Sequence, residues 1–308
     1  MKTSTSKRLR WNVAIWLAAG LFMTSTAGMA SGPILPDPKA EARHHPQIEE
    51  TANGIPLVNI TAPSSGGVSR NEYEMFNVPD KGAILNNSYT LSKTELAGYV
   101  PGNNNMAERP AKIIVNEVTG TGSTSMDGFL EVAGNRADVV IANPNGITVN
   151  GGGFINTGKA FLTTGKPVYD GEDHLQRFDI TGGDILIEGK GLGGKETGSL
   201  AILSRAVKIN AGIWAKDLHI TTGANTVDAK TLEASAIEGK GGRPAFALDT
   251  AAIGGMYAGR ITLVGTEKGL GVNNSGTWSA EDNLTLDWNG DLKNSGTIYS
   301  KGNTDLRA

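Results

Sequence analysis

VNNSGTWSAEDNLTLDWNGD, residues 272–291, is followed without a break by LKNSGTIYSKGN, residues 292–303. Asn274-Ser275-Gly276-Thr277 thus returns as Asn294-Ser295-Gly296-Thr297, an offset of twenty residues. Between the two copies Leu284 and Leu286 alternate with polar residues, the period of a strand with one buried face. A period near twenty, with short strands and polar turns, is what one coil of a parallel β-solenoid requires. Equivalent residues of successive coils would then lie roughly 4.8 Å apart along the axis. Asn274 is expected beside Asn294, their amides bonded in a ladder. An antiparallel β-sandwich with a chance tetrapeptide match fits the same pattern.

Working outward, the same alternation recurs in Ile185 and Ile187, Val207 and Ile209, Leu218 and Ile220, and Ile261 and Leu263. Such strands bury one face and show the other to solvent. Ala224 to Glu238 holds good helix formers and neither glycine nor proline, yet its larger apolar residues are Val227, Leu232 and Ile237, spaced by five. Helix and strand stay open there. Further back, Asn143-Pro144-Asn145-Gly146 reads as a tight turn between the β-type runs 138–141 and 147–149. Proline at the second position fixes φ, Asn145 suits a positive φ at the third, and the Asn143 side chain can bond amides two residues on. Gly151, Gly152 and Gly153 follow, where backbone must bend or approach closely.

Glycine supplies 42 of the 308 residues, nearly twice a usual share of about 7%, which favours many turns over long helices. Residues 1–30 read as a secretory leader: Lys2, Lys7, Arg8 and Arg10, an apolar run from Val13 to Met23, and small residues at Gly28-Met29-Ala30. Eleven apolar residues are too few for a membrane span, which needs about 20. Removing this leader takes the formal charge from −3 to −7, since it holds four cations and no acid. A mildly acidic chain without a basic patch argues against nucleic-acid binding. The chain has no cysteine, so ladders and core must stabilise it without disulfides. Residues 31–67 carry six prolines and read as extended segments with a short strand at 57–60.

Adjacent His44 and His45 lack a third ligand nearby and read as a solvated pair. Gly189 to Thr197 has the spacing of a phosphate-binding loop, but Glu196 stands where Ser or Thr must meet magnesium, so a solvated turn is expected. Asp170, Glu172, Asp173 and His174 lack a calcium-loop pattern and read as an exposed turn. No Gly-x-Ser-x-Gly elbow occurs. A polysaccharide-cleaving enzyme would need paired carboxylates on one face. Asp287 and Asp291 are candidates that nothing in the sequence brings together.

Residues 71–168 resemble the secretion domain shared by two-partner secretion exoproteins, the family of filamentous haemagglutinin and of the large contact-dependent growth inhibition proteins. The resemblance is carried by FNVPDKGAILNNS at 76–88, NEVTG at 116–120, EVAGNRADVVIANPNGIT at 131–148, GGGFINTG at 151–158 and LTTGKPV at 162–168. Residues 202–218 and 246–272 extend it. There are two departures. Where many members have a first Asn-Pro-Asn-Leu turn, this chain reads Asn103-Asn104-Asn105-Met106, without the proline. Where some carry a cysteine pair after the second turn, it has Val149 and Gly152.

The resemblance implies an all-β fold, a right-handed parallel β-helix with an amino-terminal cap and short extra-helical strands. The expected organisation is a leader at 1–30, an extended cap at 31–70, the secretion domain at 71–265 and the first repeats of a β-helical shaft at 266–308. An open last coil at Ala308 would expose its ladder, so a longer parent protein is expected. The resemblance further implies recognition by the periplasmic POTRA domains of an outer-membrane β-barrel transporter, after delivery through the Sec translocon. Export would end in secretion or display on the surface of a Gram-negative cell. Asn143, Pro144, Asn145, Gly146 and Ile147, with Asn103 and Asn105, are the expected recognition residues. No cofactor or metal and no catalysis within the fragment are expected. A contact-dependent toxin and a haemagglutinin-like adhesin, with a target-cell receptor for downstream regions, both remain as parents. The alternative is a periplasmic or secreted β-helix acting on carbohydrate.

Overall fold

Strands of the chain come in threes. Thr124–Met126, Phe129–Gly134 and Ala137–Ala142 make one coil, and Ile147–Val149, Gly152–Ile155 and Thr157–Thr163 make the next. Each strand pairs in parallel with its counterpart one coil further on. The computed structural model describes residues 32–106 and 109–307. The leader expected at 1–30 therefore lies outside the described residues.

Three parallel sheets wrap one apolar interior, the architecture of a parallel β-helix rather than a sandwich. On the first face Ile147, Ile185, Val207, Leu248, Val272 and Leu292 follow one another in register, forming a single inward row. Every member but Leu292 is buried. At about 1.5–3 kcal/mol for each buried side chain, such rows outweigh single polar contacts. The twenty-residue period persists on all three faces of the last coils, where Val272 pairs with Leu292, Thr277 with Thr297 and Leu284 with Thr304.

The expectation that strands show one face to solvent holds for Leu284–Trp288 but fails on the earlier coils of the third face. There Ile113–Val118, Ala137–Ala142 and Ser199–Ser204 are buried almost throughout. Their outward side chains, among them Val115, Val140 and Ala201, pack beneath Phe178, Ile180 and Val227 of a small antiparallel sheet outside the helix. That sheet is built from two separate excursions, Lys166–Tyr169 with Leu175–Ile180, and Asn225–Asp228 with Ala234–Ala236. The stretch 224–238, open between helix and strand in the sequence, is thus strand. A third excursion hairpin, Ser92–Thr94 with Gly98–Val100, covers Ile84 and Ala133 on the second face.

At the amino-terminal end Gln47–Glu50 runs antiparallel to Pro56–Asn59, and Ile34–Pro36 antiparallel to Val68–Phe76. These pairings occupy the edge of the first coil, which would otherwise offer free backbone groups to another chain.

Candidate functional site

The strand Ala137–Ala142 delivers Asn143 to a corner between the third and first faces, and Ile147–Val149 leaves it. Gly146 N–H donates to Asn143 O at 3.1 Å and closes the turn. The Asn143 side chain does two jobs at once. Its Oδ1 accepts the Asn145 N–H at 2.9 Å, while its Nδ2 donates to Gly122 O at 2.9 Å and Thr124 Oγ1 at 3.0 Å. Asn145 Nδ2 reaches Gly120 O at 2.9 Å. One coil corner is thereby tied to the segment before it. Positive φ falls on Gly146, at +111°, and not on Asn145 as the sequence suggested. With Pro144 and Asn145 both at negative φ the turn is of the common kind, and its last residue is the glycine that takes the unusual conformation. Ile147 is buried, paired between Thr124 and Ile185.

Asn103 builds the same device at a different corner. Met106 N–H donates to Asn103 O at 3.1 Å, and Asn105 N–H to Asn103 Oδ1 at 3.0 Å. Asn103 Nδ2 donates to Ile60 O at 2.9 Å and Asn86 O at 3.0 Å, and Asn105 Nδ2 to Ile60 O at 3.1 Å. Losing the proline has not cost the turn, because the asparagine bonds fix it. Asn143, Gly146, Ile147 and Asn103 are buried and Asn105 is half-buried, whereas Pro144 and Asn145 are exposed, as is Asn104 beside the expected set. Among the expected site residues the structure therefore separates an internal set from a presented set.

His44 does not stand in solvent as the sequence suggested. It is buried, with Nδ1 at 3.1 Å from Glu72 Oε1, because the turn Ala42–His44 docks onto the helix; His45 is exposed. Around it lies a cluster that the sequence did not reveal. Arg70 Nη2 sits 2.8 Å from Glu72 and 3.3 Å from Glu117, and its guanidinium covers the Tyr169 ring at 4.3 Å. Burial pushes the Glu117 carboxyl above the usual range against the pull of Arg70, and pushes the Tyr169 hydroxyl well up. Asp173, expected in an exposed turn, reaches Arg43 at 2.7 Å and joins this cluster. It pins cap, coil and excursion sheet together. No sequence signal ties these residues, since only the topology brings positions 43, 70, 117 and 173 together.

Within Gly189–Thr197 Leu192–Gly194 is a strand of the second face with Leu192 buried, so the segment is more than a solvated turn. Asp287 and Asp291 are exposed. Among the described residues no three His, Cys, Asp or Glu side chains group as a metal site.

The family model for the TPS secretion domain matches residues 33–298. The toxin CdiA of Yersinia pestis is 43% identical over 298 residues, which cover 89% of this chain and 9% of that protein. The 16S rRNA endonuclease CdiA of Enterobacter cloacae is 44% identical over 284 residues, covering 91% and 8%. The chain thus spans less than a tenth of the length of these curated relatives. The crystal structure of the filamentous hemagglutinin secretion domain superposes with a TM-score of 0.76 at 31% identity, covering 89% of this chain and 99% of that one.

Proposed function

Since this chain belongs to the TPS secretion domain family, we propose that its two asparagine turns are what a dedicated outer-membrane transporter reads when it exports the parent protein. As a secretion domain of this family it directs export and is not itself catalytic. It works with an outer-membrane transporter of a two-partner system, and proteins of this kind are secreted or displayed by Gram-negative bacteria.

The leader takes the chain through the Sec translocon, and POTRA domains of the barrel bind it in the periplasm. In the folded domain every amide function of Asn143 and Asn103 is spent internally. A partner can use those two side chains only before their corners close. Recognition is therefore of an extended chain, by strand addition, in which backbone bonds give affinity and side-chain pockets give selectivity. Pro144, Asn145 and Asn104 stay available afterwards. Outside the cell each coil buries apolar surface on the one before, so folding biases movement outward without nucleotide hydrolysis. The parent is a contact-dependent growth inhibition toxin or a haemagglutinin-like adhesin, with its effector and receptor-binding regions beyond the part matched here.

The observation that carries this reading is the shared bonding of the two turns within a matched secretion domain. Export of the chain from cells with and without the cognate barrel tests it. Appearance in the medium only with the barrel is expected. Retention in the periplasm in both cases would overturn it.

A further inference from the structure

Four aromatic residues at uneven sequence positions fall into one outward row on the second face. Phe129 pairs with Gly153, Gly153 with Gly193, and Gly193 with Trp214. Trp214 then pairs with Tyr257, Tyr257 with Ser279, and Ser279 with Tyr299. From Phe129 to Tyr299 the row crosses six strand spacings, roughly 29 Å at about 4.8 Å each.

The rings lie on the sheet rather than standing away from it. A methyl group at Gly153 would strike the Phe129 ring, and one at Gly212 would strike the Trp214 indole. One at Gly255 would strike the Tyr257 ring. Glycines thus floor the row. Trp214 and Tyr257 are within 16° of parallel with centroids 6.2 Å apart. Phe129 is 42% exposed, Tyr257 39% and Tyr299 50%, so the plates are wet on their upper side. Burial does not explain a row of aromatics outside the core.

Beside Trp214 stand two cations. Lys195 and Lys216 follow Gly194 and Ala215, which pair in register, and both are exposed. The lysine ion pairs among the described residues are Lys208 with Asp184 and Lys301 with Glu281, so neither of these two ammonium groups has a carboxylate partner there. Glu196 instead lines the hollow shared by Arg136 and Asn156.

We propose that this row is a binding platform for a linear acidic polysaccharide, whose pyranose rings lay their C–H faces on Trp214 and Tyr257 while carboxylates meet Lys195 and Lys216. A flat apolar strip offers no cleft for the side chains of a protein partner, which are usually anchored in pockets. Trp214 and Tyr257, on adjacent strands with centroids 6.2 Å apart, offer two neighbouring plates on the scale of successive pyranose rings. Charge complementarity selects an anionic chain over a neutral one. Binding involves no bond breaking.

The probe is alginate, a uronate polymer, with dextran as the neutral control, titrated into the chain while tryptophan emission and gel retardation are followed. Trp278 and Trp288 are buried, which leaves Trp214 as the partly exposed tryptophan among the described residues. Alginate is expected to change the emission and dextran to do so only weakly. Trp214→Ala is expected to abolish that signal and weaken retardation about tenfold, the order of one lost aromatic contact. Tyr257→Ser, which installs the residue already present at Ser279 in the same row, is expected to weaken it similarly while leaving the unfolding midpoint unchanged. Lys195→Gln with Lys216→Gln is expected to bring alginate down to the level of dextran. Absence of any alginate response overturns the proposal, as does full affinity in the Tyr257→Ser variant. Self-association of the chain that Trp214→Ala abolishes would overturn it in favour of a second copy as the occupant.

Discussion

Asn274 donates its side-chain amide to Asn294 Oδ1 at 2.8 Å, joining two residues that stand at the same position of successive coils. Its own Oδ1 accepts the Gly276 N–H at 3.1 Å, so one buried side chain both shapes its turn and holds the next coil. Asn274→Ala leaves that N–H without a partner and is expected to cost about 1–3 kcal/mol. Asn294 is exposed. Asn294→Ala should cost less, about 1 kcal/mol or below. Urea unfolding midpoints measure both, and an inverted order would mean the ladder adds nothing beyond each turn.

The two asparagine turns make a sharper test. In Asn143→Asp a carboxylate oxygen replaces the amide that donates to Gly122 O and Thr124 Oγ1, placing a buried charge against a carbonyl. A loss of about 3–5 kcal/mol is expected. Asn103→Asp, facing the carbonyls of Ile60 and Asn86, should lose as much, although no proline stands in that turn. Asn145→Asp, at an exposed position, should lose under about 1.5 kcal/mol, one exposed hydrogen bond. If Asn145→Asp nevertheless abolishes export while the purified domain keeps its unfolding midpoint, the turn is read by the transporter. Export losses that track stability across all three would reduce the motif to a folding element.

His219 supplies a pH signature. Burial lowers its imidazole from 6.5 to about 4. Between those values the unfolded chain binds a proton that the folded one refuses, so stability is present above 6.5 and is lost as pH falls towards 4. Discounted for partial exposure, the effect is on the order of 2 kcal/mol. His219→Gln should flatten that part of the stability curve. An unchanged slope in denaturant midpoints measured across this range would show that the imidazole titrates alike in both states.

Arg205 ties three distant stretches. Its guanidinium meets both Glu267 oxygens at 2.9 and 3.0 Å and donates to Lys240 O at 2.7 Å. Arg205 in turn holds the Glu267 carboxyl below its usual range. Arg205→Ala is expected to cost about 3 kcal/mol and to open the 239–245 loop to protease. Arg205→Lys should restore little, because a point charge cannot make the forked contact. Loop cleavage at the wild-type rate in Arg205→Ala would show that other contacts hold the segment.

Much of this was legible in the sequence, for physical reasons that can be named. Coils of twenty residues leave the same residue types at the same places, so Asn274 and Asn294 announced their contact. Leu284 and Leu286 announced an inward face. The Asn143 turn was legible because proline and asparagine have local effects, whereas the equal turn at Asn103 showed no proline and had to be seen in its bonds. The aromatic row was hidden because excursions between coils stretch the spacing, so that Trp214 and Tyr257 are neighbours at a distance no period predicts. The double burial of Ala137–Ala142 had a signal in the apolar run Val139-Val140-Ile141-Ala142, but not the identity of its cover. Arg70 and Glu117 gave no signal, since they stand on strands far apart in the chain and only the pairing of Val68–Phe76 with Ile113–Val118 brings them together.

The small outer sheet has a consequence for timing. Its middle pairing joins Arg177 with Asp228 and Ile180 with Asn225, across two complete coils, residues 184–204 and 206–222. In any chain delivered from its amino terminus, the hairpin at 166–180 must wait with one edge open and Phe178 uncovered until residues 225–228 arrive. The later strand then acts as a clasp that shuts only after the two coils between have been wound. A halt in delivery before that point would leave an adhesive edge exposed, and a halt after it would leave a sealed one.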